Sequence, residues 1–126
     1  MGEQRQKVLI VDDDPALLEV LGELVSIWGY APVQASCPDE AMRIFESDPE
    51  IQLVISDHGM SPLTGIQMIA RLRQTDRRFE AILFTGGQGP LIESAASAVG
   101  IRKVVHKPHG DQIEPELKAA VAALVG

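Results

Sequence analysis

The groups in this 126-residue sequence that could do chemistry follow short apolar runs. Asp12, Asp13 and Asp14 come directly after Val8 to Val11, and Asp57 follows Leu53 to Ile55 with only Ser56 between. Thr85 closes the run Ala81 to Phe84, and Lys107 with Pro108 comes shortly after Lys103 to Val105. Two carboxylates ~4 Å apart repel by ~1 kcal/mol in water and ~4 kcal/mol at an effective dielectric of 20, so acids gathered on one rim need a cation. Hard carboxylate and carbonyl oxygens without His or Cys suit Mg²⁺, which takes few protein ligands and keeps several waters. Those remaining positions leave room for a phosphoryl oxygen. An ammonium from Lys107 and a hydroxyl from Thr85 would supply the other contacts a tetrahedral anion needs.

These residues meet only if the runs that carry them are neighbouring strands. Val8 to Val11, Ala31 to Ala35, Leu53 to Ile55, Ala81 to Phe84 and Lys103 to Val105 do not alternate with polar residues, which predicts five strands buried on both faces. Helical spacing lies between them. Leu17, Leu21, Leu24, Val25 and Trp28 form one stripe ending before Gly29, and Pro38, Asp39 and Glu40 open a second helix. Ile66, Ile69 and Leu72 mark a third, Leu91 to Val99 a fourth closed by Gly100, and Ile113, Leu117, Ala120, Val121 and Leu124 a fifth. Its regular part is placed from Pro115, which cannot donate to a preceding carbonyl. Strands alternating with helices imply right-handed crossovers and a doubly wound parallel α/β sheet, whose ligands bind beyond the carboxyl ends of the strands.

Composition restricts the partners. Eleven basic against eighteen acidic residues give a net charge of −7, which disfavours direct nucleic-acid binding. Cys37 is the one cysteine, so no internal disulfide or cysteine zinc cluster forms, and a reducing cytoplasm is the expected compartment. The polar start, Met1 to Lys7, lacks a signal-peptide core, Gln6 stands where myristoylation of Gly2 wants Ser or Thr, and Ala119 to Val125 is too short to span a bilayer. No membrane partner is expected. The chain reads as one domain, residues 1–126, with its core over about 7–125.

Several features read as ordinary. Asp14 before Pro15 is a helix cap. Gly86, Gly87 and Gly89 match neither dinucleotide fingerprint nor P-loop and are a flexible connection. His58, His106 and His109 lack metal spacing, and the methionines fill core space. Arg71, Arg73, Arg77 and Arg78 read as a solvated face or a docking patch.

Val8 to Pro15 (VLIVDDDP), Leu53 to Asp57 (LVISD) running on to Gly65, Phe84 to Gly86 (FTG) and Lys107 with Pro108 occur in fixed order. Over residues 6 to 125 the sequence resembles the receiver domain of two-component response regulators. The resemblance implies a flavodoxin-like sheet of strand order 2-1-3-4-5, the order the chemotaxis receiver exemplifies. It implies that Asp57 accepts a phosphoryl group from a phosphohistidine on a sensor histidine kinase or phosphotransfer protein. It also implies that Asp13, Asp57 and the Gly59 carbonyl hold Mg²⁺ directly, with Asp12 acting through a water. Lys107 would then pair with one phosphoryl oxygen and Thr85 with another, in a protein that catalyses its own phosphorylation and dephosphorylation but is not otherwise an enzyme. The face formed by the fourth helix, fifth strand and fifth helix would shift and be read by a downstream protein or a covalently linked domain. Whether the chain stands alone or belongs to a hybrid kinase or longer regulator stays open, as does its oligomeric state, homodimer included.

The sequence departs from the family pattern at three places. Met60 is followed by Ser61 with Pro62 one position late, so the loop after Asp57 is expected to be displaced. Val104 occupies the place of an aromatic switch residue, so output is expected to travel differently or weakly. Gly59 and Gly87 stand where side chains tune dephosphorylation. Two rival readings are a degenerate receiver acting by binding alone and a haloacid-dehalogenase-type phosphatase using Asp12 and Asp14, which lacks the hydroxyl and glycine that such a site wants after its acid pair.

Overall fold

A computed structural model of the chain describes residues 5–86, 90–107 and 113–125; the readings of Gly2, Gly87, Gly89, Pro108 and His109 fall outside these. The strands are β1 (Lys7–Val11), β2 (Ala31–Ala35), β3 (Ile51–Ser56), β4 (Glu80–Thr85) and β5 (Lys103–His106). The helices are α1 (Pro15–Ile27), α2 (Pro38–Ser47), α3 (Gly65–Leu72), α4 (Pro90–Ala98) and α5 (Ile113–Val125). All pairings are parallel, in the order β2-β1-β3-β4-β5. This is the doubly wound, flavodoxin-like sheet expected.

Successive side chains of a strand point to opposite faces, and this divides the core in two. Val8 and Ile10 pack with Leu21 and Val25 of α1 and Leu117 and Val121 of α5. Leu9 and Val11 go to the other side, with Phe45 of α2, Met68 and Ile69 of α3 and Ala96 of α4. Each large side chain buried this way contributes roughly 1.5–3 kcal/mol. Burial on both faces holds for β1, β3 and β4. It fails for the edge strands: in β2 only Ala35 is buried and in β5 only Val105, because an outer strand has a neighbour on one side only.

Local chemistry sets the helix ends. Asp14 caps α1 by accepting from the backbone N–H groups of Ala16 and Leu17 at 3.1 and 3.4 Å, and Gly29 follows the helix at φ +98°. Thr64 and Gln67 form a reciprocal capping box at the start of α3. α5 begins at Ile113, two residues before the start expected at Pro115. A proline within the first turn forfeits no helical hydrogen bond, since the first four N–H groups have no carbonyl to meet.

The arginine stretch is corrected by the structure. Arg71 and Arg78 are exposed, but Arg73 and Arg77 are partly buried fastenings. The Arg73 guanidinium lies 4.0 Å over the Phe79 ring and donates to the carbonyls of Val99 at 3.0 Å, Gly100 at 2.9 Å and Phe79. Arg77 lies 3.6 Å over Phe45 and donates to the carbonyls of Asp48 at 2.9 Å, Ile51 at 3.0 Å and Phe45. The two rings meet edge to face at 4.9 Å, so two cations and two aromatics join the ends of three helices to the sheet.

Candidate functional site

Register brings the site together. Val11 pairs with Ser56, so the acids that follow these strands emerge side by side. The Asp57 N–H donates to the Val11 carbonyl at 2.9 Å, and the Asp12 N–H to the Ala35 carbonyl at 3.2 Å. On the other flank Thr85 pairs with His106, and the Lys107 N–H donates to the Thr85 carbonyl at 2.7 Å. The ladder therefore continues one residue past the strands and fixes the backbone of Asp12, Asp57 and Lys107.

Asp12, Asp13 and Asp57 each offer a carboxylate oxygen within 4.8 Å of the others, with Asp12 and Asp57 buried and Asp13 exposed. Among the described residues no histidine or cysteine joins this cluster. Lys107 Nζ lies 3.1 Å from Asp57 Oδ1 and 3.3 Å from Asp12 Oδ2. One ammonium against three carboxylates leaves two negative charges, which matches a divalent cation, and oxygen-only donors match a hard one.

Burial raises the Asp12 carboxyl above its ordinary value and the Asp57 charge adds to this, while the N–H of Asp14 and the Lys107 charge pull the other way. The Asp14 N–H reaches Asp12 Oδ1 at 2.9 Å. Burial also acts to lower the Lys107 ammonium, but its hydrogen bond to Asp57 and the charges of Asp12 and Asp57 outweigh that and leave it raised. Lys107 is therefore firmly charged and Asp12 is the acid that resists ionisation.

Thr85 is buried at the end of β4, beside the strand that leads to Lys107. Gly59 is exposed, and a Cβ there would meet open space. Asp14 turns outward as a cap and does not join the carboxylate cluster. His106 faces Glu93 of α4 at 3.5 Å. Val104 is partly buried against the cluster that holds Ala96 and Ile101. The loop after Asp57 stays anchored despite its late proline: Met60 is buried, and the N–H groups of Met60 and Gly65 both reach the His58 carbonyl at 2.9 Å.

Two supporting residues carried no assignment in the sequence. Ser56 is fully buried and donates from its hydroxyl to the Asp57 carbonyl at 2.8 Å. Gly65 lets the start of α3 approach that same carbonyl, with which any Cβ would collide. The signal for Ser56 was a polar residue ending an otherwise apolar run; for Gly65 it was a glycine at a helix start.

A profile of the response regulator receiver domain matches residues 8–121. The chain belongs to this family. The receiver domain is 35% identical over 108 residues to the two-component response regulator PprB of Pseudomonas aeruginosa, covering 83% of this chain and 39% of that protein. It is 28% identical to the solved signal receiver domain of an HD domain-containing protein from Pseudomonas fluorescens, with a TM-score of 0.85 over 97% of this chain and 95% of that one. The Thermotoga maritima response regulator TrrA, solved in complex with Mg(2+)-BeF, is 28% identical at a TM-score of 0.81, covering 94% of this chain and 98% of that one. The receiver domain spans less than half the length of the curated relatives it matches. Among the described residues no helix is long and apolar enough to cross a membrane.

Proposed function

We propose that Asp57 is the phosphoacceptor of this receiver domain and that the donor is a phosphohistidine on a sensor histidine kinase or phosphotransfer protein in the cytoplasm. The convergence of Asp12, Asp13, Asp57 and Lys107 at the ends of β1, β3 and β5 carries this reading. A carboxylate oxygen of Asp57 attacks phosphorus, the phosphorus–nitrogen bond of the donor breaks, and the imidazole leaves with the electron pair. Asp12, Asp13, Asp57 and the backbone carbonyl of Gly59 would hold Mg²⁺, with Asp12 reaching it through a water. When bound, Mg²⁺ offsets the charge on the transferring group. TrrA in complex with Mg(2+)-BeF supports that choice of ion.

Lys107 stays charged throughout and passes from the free carboxylate to a phosphoryl oxygen. Thr85 donates its hydroxyl to another. Phosphorylation gives Asp57 more charge and more acceptor oxygens, so the loops after β4 and β5 gain a partner and the surface of α4, β5 and α5 is repopulated. A downstream protein, or a domain linked in a longer parent, reads that surface; Val104 supplies no aromatic ring for the relay. The same pocket promotes phosphorylation and hydrolysis of the acyl phosphate, and the chain turns over no other substrate.

Incubation with acetyl phosphate and Mg²⁺ followed by intact mass measurement tests this. Wild type and Asp14→Asn gain one phosphoryl group, and Asp57→Asn and Asp57→Ala gain none. No gain in wild type would leave a phosphorylation-independent interaction module. Steady turnover of a small phosphate ester would point instead to a phosphatase.

A further inference from the structure

Ser56 places a hydroxyl where the strand pattern calls for a hydrocarbon. It is the last residue of β3, fully buried, and by alternation it lies on the same side of the sheet as Val54, under α3. A buried hydroxyl costs free energy unless it is hydrogen-bonded, and its partner here is the Asp57 carbonyl at 2.8 Å. Gly65 closes over the pair. A Cβ on this first residue of α3 would collide with the Asp57 carbonyl and crowd Ser56 Oγ at 2.9 Å, so a side-chain hydroxyl, and not bulk water, supplies the donor.

What this bond holds is the exit from β3. The register with β4 ends at Ser56 and Leu83, one residue short of Asp57. The peptide before Asp57 is fixed by its N–H on the Val11 carbonyl at 2.9 Å, and the peptide after it by Ser56. Peptides are planar, so fixing both planes fixes φ and ψ of Asp57 and the direction of the Cα–Cβ bond that carries its carboxylate. The loop continues in the same way. The His58 carbonyl accepts from the N–H groups of Met60 and Gly65, each at 2.9 Å, and the Met60 N–H shares one plane with the Gly59 carbonyl.

We infer that Ser56 is a positioning residue for phosphoryl transfer, aiming the Asp57 carboxylate and the Gly59 carbonyl at the divalent ion by way of the Asp57 carbonyl. This rests on the reading of Asp57 as phosphoacceptor. Ser56 acts one bond removed from the chemistry. Groups that orient a metal ligand from behind change affinity or activity by roughly 10–100-fold when removed, because small displacements of the reacting atoms suffice.

The test measures Mg²⁺ affinity by isothermal titration in the absence of phosphodonor, and the labelling rate by intact mass at saturating Mg²⁺ and acetyl phosphate. Ser56→Ala is expected to lose about tenfold in both. Ser56→Thr, which keeps the hydroxyl, should recover both to within about threefold. Should Ser56→Ala fail to fold, Ser56→Cys, near-isosteric with a weak donor, is read in its place. Two controls separate aim from stability. Ser47→Ala removes an exposed hydroxyl from the Ile44 carbonyl, and Val25→Ala removes packing from the opposite face of the sheet; the second lowers the melting temperature, and both stay within twofold of wild type in Mg²⁺ affinity and rate. Ser56→Ala within twofold of wild type on both counts, Ser56→Thr no better than Ser56→Ala, or a loss in Val25→Ala equal to that in Ser56→Ala would each overturn the inference while wild-type labelling at Asp57 leaves the phosphoacceptor in place. Absence of labelling in wild type would remove the phosphoacceptor and this inference together.

Discussion

Lys107 Nζ stands 3.1 Å from Asp57 Oδ1 and shares its charge with Asp12 at 3.3 Å. The pocket is thus prepared with one fixed cation already on the proposed nucleophile, so a mobile divalent ion has to neutralise only what remains.

Replacing Lys107 separates these two contributions. In Lys107→Met the phosphoryl oxygen loses a charged donor in a partly desolvated site, and labelling by acetyl phosphate is expected to slow by roughly 10²-fold. Mg²⁺ should bind more tightly, because the carboxylates lose a competing cation; isothermal titration measures that directly. Weaker Mg²⁺ binding would show that Lys107 organises the acids instead of competing for them.

Asp12 makes stability depend on pH. Its folded carboxyl is raised above the unfolded value, mainly by burial. Its contribution is therefore fully present below the ordinary carboxylate pKa of about 3.9 and is lost as pH rises through the raised folded value. Without divalent ion, Asp12→Asn should be more stable than wild type at pH 7 by about 1–2 kcal/mol, with the difference vanishing in acid. Urea melts with EDTA across pH 4 to 7 test this, and added Mg²⁺ should stabilise wild type more than the variant.

Arg73 and Arg77 are expected to matter for stability far more than their exposed neighbours. Arg77→Ala leaves the carbonyls of Phe45, Asp48 and Ile51 without their donor and uncovers the Phe45 ring. A loss of about 2–4 kcal/mol follows. Arg78→Ala should stay within about 0.5 kcal/mol. Denaturant midpoints compare them, and equal effects would return the stretch to a solvated basic face.

Lys7 and Asp48 tie the start of β1 to the end of α2 at 2.8 Å. The hydrogen bond from Lys7 lowers the Asp48 carboxyl, so its contribution is present above about pH 3.9 and is lost as pH falls through the lowered folded value. The same contact raises Lys7, whose contribution disappears only as pH climbs through its raised value. Asp48→Asn should be slightly less stable than wild type in the neutral region and converge with it as pH falls through the lowered Asp48 value, which flattens the acid limb; urea melts from pH 2 to 7 measure this.

The elements and the chemistry were largely legible because they are local. An unbroken apolar run ending in Asp states both a buried strand and an acid at its carboxyl end, and Asp14 before Pro15 separates itself from Asp12 and Asp13 as a cap. The strand order came by resemblance, since no local pattern states which run lies beside which. Ends of helices were read less well: α5 starts ahead of Pro115 because the first turn has no hydrogen bond for a proline to break.

What the linear order of residues determined by itself is therefore periodicity, capping and the identity of the groups at each strand end, all set within a few residues by backbone geometry. Only the tertiary structure decided that Ser56 and Gly65 meet at one carbonyl, that Arg73 and Arg77 turn inward onto Phe79 and Phe45, and that Lys107 bridges Asp57 and Asp12. The Lys107–Asp12 and Arg77–Phe45 contacts join residues 95 and 32 positions apart, while those of Ser56, Gly65 and Arg73 are nearer in the chain but form only when the helices pack on the sheet. Their partners are selected by the crossovers and the register of the sheet, which no short stretch of sequence contains.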